Sequence, residues 1–174
     1  MTANPCLACD ARCCRRYAIY VLPEEVARIA ADRNLPRANV AAAETVDLTS
    51  ELPVVYLEGQ PAQLVLARDP GSGACVFLDE ETSRCTIHDL APYICQMYPY
   101  TATGDVGPRI RLLNDVLCPA PYPLAPACER ELAALSLEFW NERVNVYRSA
   151  AQRWNLRLDG GGAEALLAFC LDGE

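Results

Sequence analysis

The sequence predicts an α+β fold: a small, mostly antiparallel sheet with several helices and cysteine-rich irregular loops around one or more metal centres. Three observations predict it. Short apolar runs of strand character are bounded by Gly and Pro. Longer segments carry apolar residues at helical spacing. Ten cysteines in 174 residues stand mostly outside those periodic stretches. The length suggests a single domain, 1–174. Within it, a cysteine-cluster metal-binding core spans 1–119, and a Pro-rich connector with a helical C-terminal part spans 120–174.

The elements follow in order. Residues 1–16 are cysteine-rich and have no hydrophobic period. Tyr17-Ala18-Ile19-Tyr20-Val21-Leu22 suits a strand. Pro23 fits the first turn of a helix, with Glu24 and Glu25 at the positive end of its dipole and Asn34 as its stop. Val26, Ile29 and Ala30 form its buried stripe. A second short helix is predicted over 37–44. Residues 52–58 and 63–68 read as strands joined by a turn at Gly59-Gln60-Pro61. Pro70-Gly71-Ser72-Gly73 is another turn, and Asp79-Glu80-Glu81 a solvated one. A helical turn follows Asp89, and 109–113 adds a strand. Pro119, Pro121, Pro123 and Pro126 make a stiff connector. A long helix spans about 127–154, with Leu132, Leu135, Phe139, Val146 and Tyr147 as its stripe. Gly160-Gly161-Gly162 breaks the chain before a last helix over 163–171.

Charge and composition exclude several functions. The net charge is −8, which disfavours a broad nucleic-acid surface. All 15 basic residues are Arg, so no lysine amine is available as a nucleophile or Schiff base. The first residues show no basic stretch leading into an apolar one, and no apolar run approaches the roughly 18 residues of a membrane span. The expectation is a cytoplasmic protein with no membrane or nucleic-acid partner, working with a redox or protein partner. In a reducing compartment, clustered cysteines hold metal more often than they form disulfides.

The opening motif is Cys6-x2-Cys9-x3-Cys13-Cys14. Two intervening residues let a tight turn aim both sulfurs at one metal. Adjacent side chains diverge by about 100° in a helix and point to opposite sides in a strand. Cys13 and Cys14 are therefore expected to serve two centres, or one bridged centre. The second group is Cys75-x9-Cys85-x9-Cys95, then Cys118 before Pro119. With no second CxxC, a two-knuckle zinc ribbon does not fit. The x2-then-x3 spacing also reverses that of the radical enzymes that use S-adenosylmethionine.

These residues carry a resemblance. Cys6-x2-Cys9-x3-Cys13-Cys14, Cys75-Val-Phe-Leu, Cys85-Thr-Ile-His88, Pro92-x2-Cys95 and Tyr98-Pro99 resemble the YkgJ-type cysteine-cluster family over roughly 6–119. That resemblance implies a zinc- or iron-chelating domain, in some members labelled an iron–sulfur oxidoreductase. It also implies a ligand set of Cys6, Cys9, Cys13, Cys14, Cys75, Cys85, Cys95 and Cys118. The chain departs from the family pattern at His88 (Tyr there) and at Ala91 and Gln96 (Arg there).

The remaining candidates are ranked by environment. Arg12, Arg15 and Arg16 flank the first cysteines and are expected to offset thiolate charge around the bound cofactor. Tyr93, Tyr98 and Tyr100 surround Cys95 and are expected to shield the centre from water. His88, the only histidine, is expected to have a structural role. Cys128 and Cys170 read as core residues on helices. The expected function is an iron–sulfur protein, of 4Fe-4S type, with a redox or cluster-assisted catalytic role. The alternative is a zinc-binding structural or interaction module, and a third reading is thiol–disulfide exchange at Cys6 and Cys9.

Overall fold

The computed structural model describes residues 10–46, 51–104, 107–118, 124–157 and 160–172. The chain divides into two compact units, each built from two stretches of sequence. One comprises Ala18–Ala67 and Trp140–Glu174, the other Met1–Tyr17 and Arg68–Phe139. Both combine helices with small antiparallel sheets, so the class is α+β as predicted.

In the first unit, the run predicted as a strand after Tyr17 pairs only at Tyr20, in a single bridge with Val65. The Val21 N–H donates to the Leu64 carbonyl, and the Leu66 N–H to the Ile19 carbonyl. Pro23, which has no N–H to give, ends the pairing and starts helix α2 (Pro23–Arg33); the preceding helix α1 (Arg12–Arg16) lies in the other unit. The Leu22 N–H donates to Glu25 Oε2 at 3.0 Å and satisfies a free donor at the helix start. Asn34, at φ 52°, stops α2 as predicted. Val26 and Ile29 are fully buried, and each such side chain contributes roughly 1.5–3 kcal/mol.

Helix α3 (Arg37–Val40) is shorter than expected. The residues after it form strand β1 (Ala41–Thr45), which pairs with β3 (Gln60–Leu66) from Ala41↔Leu66 to Thr45↔Ala62. The alanines favour a helix locally, but strand pairing overrides that preference. Strand β2 (Val55–Leu57) lies on the other side of β3, giving the order β1-β3-β2. The hairpin turn sits at Glu58-Gly59, one residue earlier than expected, with both residues at positive φ (51° and 80°).

The free edge of β2 is met by helix α6 (Val144–Asn155). Asn155 Oδ1 accepts the Tyr56 N–H at 2.9 Å, and its Nδ2 donates to the Val54 carbonyl at 3.0 Å. Trp154 Nε1 donates to the Tyr56 carbonyl at 2.9 Å. These contacts cap an edge that would otherwise offer unpaired groups. Helix α7 (Ala163–Asp172) closes the unit. Arg143 donates to Glu24 at 2.9 Å and to Glu25, which is 1% exposed, at 2.7 Å.

The stripe predicted on the long helix holds only in part. Phe139 and Tyr147 are buried, but Val146 is 73% exposed. A π-helical segment, Phe139–Arg143, follows α5 (Pro126–Glu138) and precedes α6. Its wider turn shifts the phase of the apolar face to Val144, Tyr147, Ala151 and Trp154.

In the second unit, α1 forms where no period was legible. The turn at Pro70–Gly73 is as predicted, with Asp69 Oδ1 accepting from the Gly71 and Ser72 N–H groups and from Ser72 Oγ. Strands β4 (Leu78–Asp79) and β5 (Arg84–Cys85) form a short hairpin, whose turn Asp79 Oδ1 holds through the Glu81 and Thr82 N–H groups. A 3-10 turn over His88–Leu90 leads to α4 (Tyr93–Met97). Strand β7 (Arg109–Leu112), as predicted, pairs with β6 (Tyr100–Thr103), which lacks the alternation that would reveal it. Pro119, Pro121 and Pro123 of the predicted connector lie outside the described residues; Pro126 opens α5 at its first turn. Tyr93 stacks on Phe139 with ring centroids 3.7 Å apart. Among the described residues, no helix is long and apolar enough to cross a membrane.

Candidate metal centre

The six described candidate ligands all belong to the second unit, and none of them is in a disulfide. Cys6 and Cys9 lie outside the described residues. Cys13 and Cys14 sit on α1, which Ala11 enters at φ 56°. Cys14 packs against a small buried cluster of Ala11, Ala74 and Leu78. The Sγ atoms of Cys13 and Cys14 are 3.9 Å apart. The expectation that this pair points apart is therefore not met at the sulfurs. Helical geometry separates the Cβ atoms, but rotation about Cα–Cβ brings the Sγ atoms back together.

The second cysteine group is tied to the first through the backbone. The Cys75 N–H donates to the Cys14 carbonyl at 2.9 Å, and Cys75 also bridges to Arg68. Cys85 stands opposite Leu78 in the β4–β5 hairpin, and the Leu78 N–H donates to the Cys75 carbonyl at 2.9 Å. Arg15, on α1, reaches this hairpin at Ser83 and Glu80, at 3.4 and 3.8 Å. Arg12 pairs with Asp10 at 2.7 Å, and Arg16 is exposed.

The electrostatics follow from this arrangement. The Cys13 thiol is pushed up by its contact with Cys14 and by burial. The Cys75 thiol is pushed up by burial and by the Cys85 and Cys13 thiols, while the Phe77 N–H and the Arg68 guanidinium pull the other way. Arg68 is held in place by the Gly73 carbonyl at 2.5 Å and the Arg15 carbonyl at 3.3 Å. The sequence pattern does not single out Arg68, because its role depends on a contact between distant segments.

Helix α4 places Cys95, and an aromatic residue holds Cys118. Cys95 lies on α4, and Tyr98 follows that helix directly. Tyr98 Oη accepts from the N–H groups of Leu117 and Cys118 at 2.7 and 3.0 Å. Its own ionisation is pushed up to about 12, chiefly by burial. Tyr100 is shifted up by burial and by Cys118. His88 is exposed, and Cys128 and Cys170 are half-buried rather than sealed in a core.

Among the described residues, no three His, Cys, Asp or Glu side chains form a group that could hold a metal ion. The Cys13–Cys14 pair does fit two positions of one coordination shell. Two thiolates bound at about 2.3 Å in tetrahedral geometry stand about 3.8 Å apart, close to the 3.9 Å of Cys13 and Cys14. A donor set made of thiols alone suits zinc and iron alike. Comparison with known proteins agrees with this chemistry. The family model CxxCxxCC, described as a "putative zinc- or iron-chelating domain", matches residues 5–119. No curated protein and no solved structure matches the chain.

Proposed function

The chain belongs to the CxxCxxCC family of zinc- or iron-chelating domains, and on that footing we propose that it is a cytoplasmic iron–sulfur protein. The proposed ligands are Cys6, Cys9, Cys13, Cys14, Cys75, Cys85, Cys95 and Cys118, enough for two four-thiolate clusters of 4Fe-4S type. The observation that supports this reading is the donor set. Every described candidate is a cysteine outside any disulfide, all six lie in one compact unit, and the only histidine is exposed.

A bound cluster supplies electron transfer, at a potential tuned by charge, hydrogen bonds and exposure. The chain's own residues supply the surroundings. Ala11, Ala74 and Leu78 keep water from one side of Cys14. Arg68 places positive charge beside Cys75. Arg12, Arg15 and Arg16 add positive charge around α1 and offset the thiolates. A redox or protein partner accepts or delivers the electrons.

One observation favours a second reading, a zinc-stabilised module: the 3.9 Å separation of the Cys13 and Cys14 sulfurs suits two ligands of a single ion. Anaerobic purification separates the two. An iron–sulfur protein is brown and contains iron with near-equal acid-labile sulfide. A colourless protein that takes up no iron on reconstitution and unfolds when zinc is chelated rules out the first reading and supports the second.

A further inference from the structure

Among the described candidate ligands, Cys118 has the least regular support. The chain from Leu113 to Cys118 forms neither helix nor strand, whereas Cys13, Cys14 and Cys95 lie on helices and Cys85 on a hairpin. Two tyrosines hold this segment. Tyr17 and Tyr98 each stand three residues after a candidate ligand, Cys14 and Cys95 respectively. Their rings meet edge to face, with centroids 5.7 Å apart. The Tyr17 hydroxyl donates to the Asp115 carbonyl at 2.9 Å. Tyr98 Oη accepts both the Leu117 and Cys118 N–H groups, at 2.7 and 3.0 Å.

We infer that Tyr98, braced by Tyr17, is a positioning residue that delivers Cys118 to the metal centre; this rests on the reading of Cys118 as a ligand. A ligand on an irregular loop must lose conformational freedom when it binds. One oxygen that accepts two successive N–H groups fixes the direction of the backbone at Cys118 before metal arrives. The edge-to-face contact fixes the Tyr98 ring against the end of α1. The Tyr17–Tyr98 pair thereby couples three candidate ligands, Cys14, Cys95 and Cys118, that are distant in sequence. Phenylalanine keeps the ring and removes only the oxygen, so Tyr98→Phe isolates the hydrogen-bonding role.

The test uses the full chain, purified anaerobically and reconstituted with iron and sulfide, as wild type, Tyr98→Phe and Tyr17→Phe. Thiol alkylation is mapped by mass spectrometry, and iron release to a chelator is timed. In Tyr98→Phe, Cys118 is expected to label about tenfold faster, in line with the loss of two backbone hydrogen bonds. Cys13, Cys14, Cys75 and Cys85 are expected to keep their wild-type rates. Tyr17→Phe, which leaves the Tyr98 acceptor in place, is expected to shift Cys118 in the same direction by less. That variant carries the test if Tyr98→Phe does not fold.

Uniform labelling of all cysteines, or an unchanged Cys118, in a variant whose wild type holds iron overturns the positioning role and leaves the iron–sulfur reading intact. A wild-type chain that takes up no iron overturns that reading instead. Amide exchange at Leu117 and Cys118 in the same metal-free chain then decides the clamp. Exchange accelerated by Tyr98→Phe supports it, and unchanged exchange overturns it.

Discussion

The backbone N–H of Cys75 donates to the carbonyl of Cys14 across 2.9 Å. This bond joins the opening cysteine motif to the second cysteine group. It places Cys75 where the charges of Cys13 and Cys85 both reach its thiol. Loss of a thiol at this junction should therefore be felt by the whole proposed ligand set.

Cys75→Ala and Cys13→Ala are each expected to lower bound metal by at least about half, because a thiolate centre missing a ligand binds weakly. Cys128→Ala and Cys170→Ala, at half-buried positions outside the proposed ligand set, should keep the wild-type stoichiometry. Elemental analysis of the four variants side by side is the check. Equal losses in Cys75→Ala and Cys128→Ala would overturn the ligand assignment.

Arg143→Met leaves Glu25, 1% exposed, without its 2.7 Å guanidinium partner. Removing one member of a buried ion pair costs about 3–5 kcal/mol, and the part-buried Arg143 guanidinium puts this pair toward the lower end. Urea unfolding followed by tryptophan fluorescence should show a loss of that order. The double variant Glu25→Gln/Arg143→Met should lose much less, since no buried charge is left stranded and Glu24, the other partner of Arg143, is exposed. Equal losses in the single and double variants would mean that the effect is packing rather than charge.

The Asp69 carboxyl is held below the usual aspartate range by the Ser72 N–H and hydroxyl, with help from the Gly71 N–H. Because the folded value is the lower one, this turn's contribution is present above the ordinary aspartate pKa. It fades as pH falls through the lowered value. A carboxyl NMR titration should find Asp69 ionising below its exposed neighbours. Ser72→Ala should raise it partway, through loss of the hydroxyl bond. An unchanged midpoint in Ser72→Ala would show that the hydroxyl has no part in holding the carboxylate.

Glu58 adopts φ 51° in a two-residue hairpin turn with Gly59 at 80°. Both positions call for left-handed backbone, which asparagine tolerates better than glutamate. Glu58→Asn is expected to stabilise the chain by up to about 1 kcal/mol, read as a higher thermal midpoint. A lower midpoint would show that the Glu58 side chain contributes more than its backbone strain costs.

Helix α2 was legible to the residue because Pro23 and Asn34 fix its ends locally. Strand β1 was not, because Ala41–Thr45 takes its conformation from β3 rather than from its own preference. The same division runs through the candidate site. The identity and order of the cysteines stand in the sequence, but the contacts that gather them do not. Arg68 beside Cys75 and Tyr98 beside Cys118 depend on which distant segments meet. The close approach of the Cys13 and Cys14 sulfurs depends on side-chain rotation, which backbone periodicity leaves open.

X-ray absorption at the metal edge, on anaerobically prepared full-length protein, tests the central claim most directly. The account predicts iron with a first shell of sulfur only and a further iron–iron scattering shell. Zinc in a sulfur-only shell would keep the thiolate ligation and select the second reading. A first shell of nitrogen and oxygen, or a chain that holds no metal after reconstitution, would contradict the account.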